Sequence, residues 1–126
     1  MIIKTLEDYF ETLFNDIFYG QIPESPNNLI NMNMYDTGKN PYFGDTKTHI
    51  LTLNLYIRDE SYENMQTRNE VVGNSLSNIY DISVSQYHIV GINKKSSGEP
   101  TRDTKNRYSI NSTFEVKIEE VQYGTI

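Results

Sequence analysis

An α+β fold, a mainly antiparallel four-stranded sheet with two helices packed on one face in the order αββαββ, is predicted by three features of the chain. Residues 48–58 and the stretch from residue 108 onward alternate apolar and polar side chains in period two, as half-buried strands do. Residues 2–19 and the stretch from residue 59 to about 78 space their apolar residues three and four apart, as amphipathic helices do. Polar loops of about a dozen residues join the strands in pairs. At 126 residues the chain is the size of one domain and can bury a core without disulfide or metal staples, so residues 1–126 form a single unit.

The first helix is read from Ile3, Leu6, Phe10, Leu13, Phe14 and Ile17 on one stripe. Gly20 stops it, with Pro23 and Pro26 beyond. A strand follows over 28–35, where Ile30, Met32 and Met34 alternate with Asn31, Asn33 and Tyr35. Residues 36–47 set Gly38, Pro41 and Gly44 around Tyr42 and Phe43, so a long hairpin loop is expected. Its two rings either fold back over the sheet or meet a partner.

The strand over 48–58 puts His49, Leu51, Leu53, Leu55 and Ile57 on one side, and its strength predicts a central place. Asp59, Glu60, Ser61 and Glu63 then suit the N-terminus of the second helix, where they cap free N–H groups and meet the positive dipole end. Met65, Val72, Leu76 and Ile79 supply the buried stripe of that helix. Gly73 costs it about 1 kcal/mol relative to alanine, which points to close packing on the sheet. A third strand over 82–94 carries Ile82, Val84, Val90 and Ile92 against Tyr87 and Ile89, with a break near Ser85 and Gln86.

Residues 94–107 form a charged arm with Gly98 and Pro100. It holds Lys94, Lys95, Arg102, Lys105 and Arg107, five of the eleven basic residues, so the few cations of the chain are gathered. The last strand sets Tyr108, Ile110, Phe114, Val116 and Ile118 on the face opposite Ser109, Asn111, Thr113, Glu115, Lys117 and Glu119.

Composition narrows function by exclusion. A net charge of −6 opposes general binding to phosphate backbones. The absence of cysteine removes disulfides, thiolate chemistry and cysteine metal sites, and fits a reducing cytoplasm. Acidic residues interrupt the apolar ones near the N-terminus, which argues against a signal-peptide core, and no apolar run reaches the length of a membrane span. His49 and His88 stand in no metal-ligand spacing, and helix capping accounts for Asp59, Glu60 and Glu63, so no metal is expected. With no GxSxG elbow, phosphate loop or dinucleotide turn, neither an enzyme nor a cofactor is indicated. Ten tyrosines against five phenylalanines fit a tyrosine-rich sheet and an interface equally. A small nucleic-acid-binding α+β domain is the alternative from another class, since the arm sets Lys95, Arg102, Lys105 and Arg107 beside Tyr108. Glu99 and Asp103 within the arm, and the acidic whole, oppose it.

The C-terminal half resembles a known group. Gly91-Ile92-Asn93-Lys94, then Ser97-Gly98-Glu99-Pro100, then RDTKNRY at 102–108 and the alternating strand after it are similar to the end of small minor capsid and tail-terminator (tail completion) proteins of long-tailed bacteriophages. That resemblance implies a non-enzymatic virion protein forming a ring, commonly of six copies, which caps the tail tube, ends its polymerisation and provides the head-to-tail joining interface. A head-side connector or stopper is the alternative within the same biology. The implied partners are further copies of the chain, the tail tube protein and a head–tail connector protein, with DNA passing through the ring without specific binding and no membrane. The implied place is the head-proximal end of the tail, after assembly in the host bacterial cytoplasm. On this reading Lys94, Lys95, Arg102, Asp103, Lys105 and Arg107, with Tyr42 and Phe43, are the inter-subunit or tube contacts. Rings need unlike surfaces that meet, and a charged arm on an acidic chain offers one.

Overall fold

The computed structural model describes residues 2–36, 42–43 and 46–121, with α1 (Ile2–Leu13), β1 (Ile17–Tyr19), β2 (Leu29–Asp36), β3 (Tyr42–Phe43), β4 (Thr46–Asp59), α2 (Tyr62–Ser77), β5 (Tyr80–Val84), β6 (Tyr87–Ser97), β7 (Thr101–Arg102) and β8 (Tyr108–Val121). The sheet is mixed, and larger than the four antiparallel strands expected. Its path runs β1-β2-β4-β8-β6-β5, with the two-residue strands β3 on β4 and β7 on β8.

Two local features make the difference. The helical spacing of residues 2–19 ends at Leu13, because Asp16 takes a left-handed conformation with φ 58° and turns the chain. Ile17, Phe18 and Tyr19 then pair in parallel with Ile30, Asn31 and Met32, adding an edge strand where helix was expected. The second feature is the 82–94 segment, which is not one strand. Ser85, with φ 58°, reverses the chain, and β5 folds against β6 as a hairpin with Val84 beside Tyr87 and Ile82 beside Ile89.

The centre of the sheet follows the period-two pattern. β4 and β8 pair along their whole length, from Thr46 opposite Val121 to Asp59 opposite Tyr108. Leu51, Leu53, Leu55 and Ile57 of β4 face the same side as Val116, Phe114 and Ile110 of β8, and all are buried. Each such side chain contributes about 1.5–3 kcal/mol by leaving water. Met32 and Met34 of β2 and Ile89 and Ile92 of β6 extend that core to either side.

Leu6 and Phe10 of α1 and Met65, Val72 and Leu76 of α2 close the same core. α2 starts at Ser61, whose Oγ accepts the Asn64 N–H at 3.2 Å, while Asp59 Oδ1 accepts the Ser61 N–H at 2.9 Å. A buried polar link ties it to the sheet, Ser112 Oγ donating to Asn69 Oδ1 at 3.4 Å. α1 touches β5 at one edge of the sheet, and at the other edge Tyr19 Oη donates to the Glu7 carbonyl at 3.0 Å. Six strands laid flat would set those edges about 24 Å apart, more than the roughly 18 Å length of a twelve-residue helix, so the sheet curls about α1. Irregularities in the β6–β8 register near Val90 and Lys95 add local twist.

On the other face of the sheet lie Thr52, Asn54 and Tyr56 of β4 and Thr113, Glu115 and Lys117 of β8, turned away from the helices.

Gly73 of α2 lies over the Phe114 ring, where an added Cβ would stand 3.6 Å from Phe114 Cζ, ordinary contact distance. Gly73→Ala should therefore keep the packing and raise stability by up to about 1 kcal/mol through helix propensity, while Gly73→Leu should lower it; urea denaturation of the two variants reads both.

Candidate assembly surface

The arm is built onto β8. After Ser97 the chain steps past Gly98, whose N–H donates to the Asn111 carbonyl at 2.6 Å; a Cβ there would come within 3.2 Å of that oxygen, so the close approach favours glycine. Thr101 and Arg102 then resume pairing, with Ser109 and Tyr108. Residues 103–106 make the tip. Asp103 holds it closed: its Oδ1 accepts the N–H groups of Lys105 and Arg107, each at 2.9 Å, and its N–H donates to the Arg107 carbonyl at 2.9 Å. Asn106 sits at φ 61°, a conformation asparagine tolerates better than most residues.

The tip rests on residues 23–27, a loop that arrives from the other end of the chain. Arg107, only 5% exposed, donates from Nη1 to the Glu24 carbonyl at 2.6 Å and from Nε to Asp103 Oδ2 at 2.8 Å. Arg58, at the end of β4 and 3% exposed, grips the same loop, donating from Nη2 to the carbonyls of Pro26 at 2.6 Å, Pro23 at 2.9 Å and Glu24 at 3.2 Å, and from Nε to Asn27 at 3.3 Å. Lys105 Nζ closes the contact on Glu24 Oε2 at 2.8 Å.

These contacts sort the cations of the arm. Arg107, Lys105 and Lys95 have carboxylate partners within the chain, Lys95 more loosely at 3.8 Å from Glu115. Arg102 instead donates to the amide oxygen of Asn106 at 2.7 Å, and its guanidinium carbon stands 5.7 Å from the centre of the Tyr108 ring. Tyr62 of α2 meets the same ring edge-on at 5.5 Å. Lys94 lines a polar crevice of about 410 Å³ between α2 and β6. The remaining contact candidates, Tyr42 and Phe43, pair in backbone with Lys47 and Thr46, while their side chains and residues 37–41, 44 and 45 lie outside the described residues.

In backbone fold the chain is similar to a chain of the virion of a native gene transfer agent particle, at a TM-score of 0.63 and 12% identity, over 94% of this chain and 91% of that one. The likeness is one of fold. No protein-family model matches the chain, and no curated protein matches it. The two chains share their architecture nearly end to end.

Sequence reasoning missed Arg58 and Glu24, whereas it set His49 on the same side of its strand as Leu51, Leu53, Leu55 and Ile57, and that histidine is buried. His49, 6% exposed, stands between strands β2 and β8, with Nε2 3.0 Å from Glu120 Oε1 and Nδ1 3.5 Å from Asp36 Oδ2, the latter near enough for an ion pair but not aligned as a hydrogen bond. Only the two prolines at 23 and 26 hinted at a loop with carbonyls to be satisfied. Among the described residues no three His, Asp or Glu side chains are grouped to hold a metal ion, and no helix is long and apolar enough to cross a membrane.

Removing the Arg58 guanidinium strands three inward carbonyls, those of Pro23, Pro26 and Asn27, while the Glu24 carbonyl keeps its bond from Arg107. Arg58→Met should cost on the order of 3 kcal/mol in urea denaturation, and Arg58→Lys should recover only part, since one ammonium cannot span the fork.

Hydrogen bonds from the Arg107 backbone and side chain hold the Asp103 carboxyl below its ordinary value of 3.8, and the Lys105 hydrogen bond and charge hold Glu24 below 4.5. The lowered values mean that folding favours the ionised forms, so their stabilisation is complete above those ordinary values and is lost as the pH falls through the folded ones. Between about pH 5 and pH 3 the wild type should thus lose more stability than an Asp103→Asn, Glu24→Gln variant, followed by urea midpoints at each pH.

Proposed function

We propose that the chain is a structural virion protein that forms a ring on the end of a phage-type tail tube, ends polymerisation of the tube and offers the joining surface to the head. The observation that carries this reading is the fold likeness to a virion component over nearly the whole of both chains. The RDTKNRY segment supports it independently, because the residues that carry the sequence resemblance are those that build the rigid arm tip. The role is one of assembly, not catalysis. Its partners are further copies of the chain, the tail tube protein and a connector on the head side, and DNA passes the ring without a specific site.

The arm fits the part of a contact element. It is exposed from Ser96 to Asn106 except at Pro100, yet its tip is fixed by hydrogen bonds and an ion pair, so little conformational entropy is lost when a partner docks. A phosphate-binding role fits less well, since three of its five cations already face carboxylates of the same chain.

Particles assembled without the protein decide the matter. Loss of a tube-capping ring should give tails of uncontrolled length in negative-stain images, with heads left unjoined. Tails of normal length beside unjoined heads would instead assign the chain to the head side, as a connector or stopper.

A further inference from the structure

Charge is distributed unevenly over this chain. Residues 2–16 set Lys4 against Glu7, Asp8, Glu11 and Asp16, whereas the arm sets five cations against Glu99 and Asp103. On α1 the spacing of Glu7, Asp8 and Glu11 gathers them on one face with Lys4, away from the buried Leu6 and Phe10. Lys4 pairs with Asp8 at 3.0 Å. Among the described residues Glu7 and Glu11 have no cation within ion-pair distance, and partial burial together with Asp8 and Glu11 pushes the Glu7 carboxyl up against the pull of Lys4.

The arm presents the converse. Arg102 is exposed and has no carboxylate within ion-pair distance among the described residues, and it stands over Tyr108, which the 47%-exposed Tyr62 meets edge-on, the Tyr62 hydroxyl being fixed by Gln66 at 2.9 Å. Arginine over tyrosine on a rigid support is the composition that dominates binding energy at protein contacts. Among the described residues no ion pair joins this patch to α1 within one chain.

We infer that copies of the chain join head to tail, the acidic face of α1 in one copy seating on the Arg102, Tyr108 and Tyr62 patch of the next. The inference rests on the ring reading above and specifies its contact. Two unlike patches that do not meet within a chain leave each copy with one free donor and one free acceptor surface, which yields a closed ring or a filament and not a two-fold dimer. A second copy is the occupant whose charge fits: it brings the unneutralised carboxylates that Arg102 lacks, and the guanidinium relieves the like-charge crowding around Glu7.

Sedimentation velocity of the full chain tests this with a patch-dead variant, Arg102→Ala, and a face-dead variant, Glu7→Gln with Glu11→Gln. Arg102 and Glu11 are exposed and Glu7 is half-buried, and circular dichroism melts check that each variant folds. Each alone should associate at least tenfold more weakly than wild type, and an equimolar mixture should stop at one-to-one dimers, since only one intact contact can form. Charge-reversed partners, Arg102→Glu mixed with Glu7→Arg and Glu11→Arg, should regain the large assembly that neither forms alone. If wild type assembles and either dead variant assembles equally well, this contact is wrong while the ring reading stands. If wild type shows no self-association at any accessible concentration or salt, both fail.

Discussion

The fold depends on two buried guanidinium groups and the carbonyls they hold. Residues 20–28 must carry the chain back from the edge strand β1 so that β2 can run parallel to it, and the prolines at 23 and 26 deprive that return of N–H groups and of regular structure. The carbonyls left inside need donors. Arg58, from the end of the central strand, and Arg107, from the start of the last one, supply them from opposite sides. Taking a guanidinium out of water costs several kcal/mol unless its donors are used. Here Arg107 pairs with the carboxylates of Asp103 and Glu24, whereas the hydrogen bonds of Arg58 among the described residues all go to carbonyls. The outcome joins three distant parts of the chain, the N-terminal crossover, β4 and the arm, in one polar knot at the end of the sheet.

That knot changes what the arm is. Counted along the sequence, its five cations suggest a mobile basic strip. Folded, Arg107 is an interior residue and Lys105 is half of a clasp, so the positive charge left to a partner is concentrated at Arg102, with Lys94 in its crevice beside α2. The same sorting sharpens the electrostatics of the whole: an acidic chain has neutralised its basic segment internally and leaves an acidic helix with a single lysine. Long-range attraction to a polyanion is weak for such a surface, while short-range pairing between copies is available.

How far this was legible in the sequence depends on which periodicity each residue served. The strands at 48–58 and beyond 108 were plain because Leu51, Leu53, Leu55 and Ile57 and their partners Ile110, Phe114 and Val116 keep a period of two, broken on the buried face only by Ser112, and a central antiparallel pair must alternate when one face is dry. Ile17 was ambiguous. Its three-residue spacing from Phe14 continues a helix, and its two-residue spacing to Tyr19 begins a strand; the deciding sign was Asn15-Asp16, residues that accept a left-handed turn. The β5–β6 hairpin was obscured in the same way, since Ser85-Gln86 lacks the glycine that usually announces such a reversal. Arg107 was read as part of an exposed arm and Arg58 was not singled out, because arginine is mostly found in water and nothing local reveals carbonyls contributed by a loop more than thirty residues away.

The edges of the sheet bear on how copies would meet in the proposed ring. A ring could be made by adding one subunit's edge strand to the next, but both edges here are poorly suited to it. β1 is three residues long, and β5 is interrupted at Asp81, whose φ of 54° and exposed, charged side chain spoil a flat pairing surface. His88 Nε2, 3.0 Å from Asp81 Oδ1, holds that side chain at the edge. Short, kinked and charged edges are how proteins avoid open-ended strand addition. With backbone pairing blunted at both margins, contact between copies in the proposed ring would fall to side chains, where charge pattern sets register and partner. A chain whose acids lie on one helix and whose arm carries an exposed arginine would have that pattern in place before any neighbour of the proposed ring arrived.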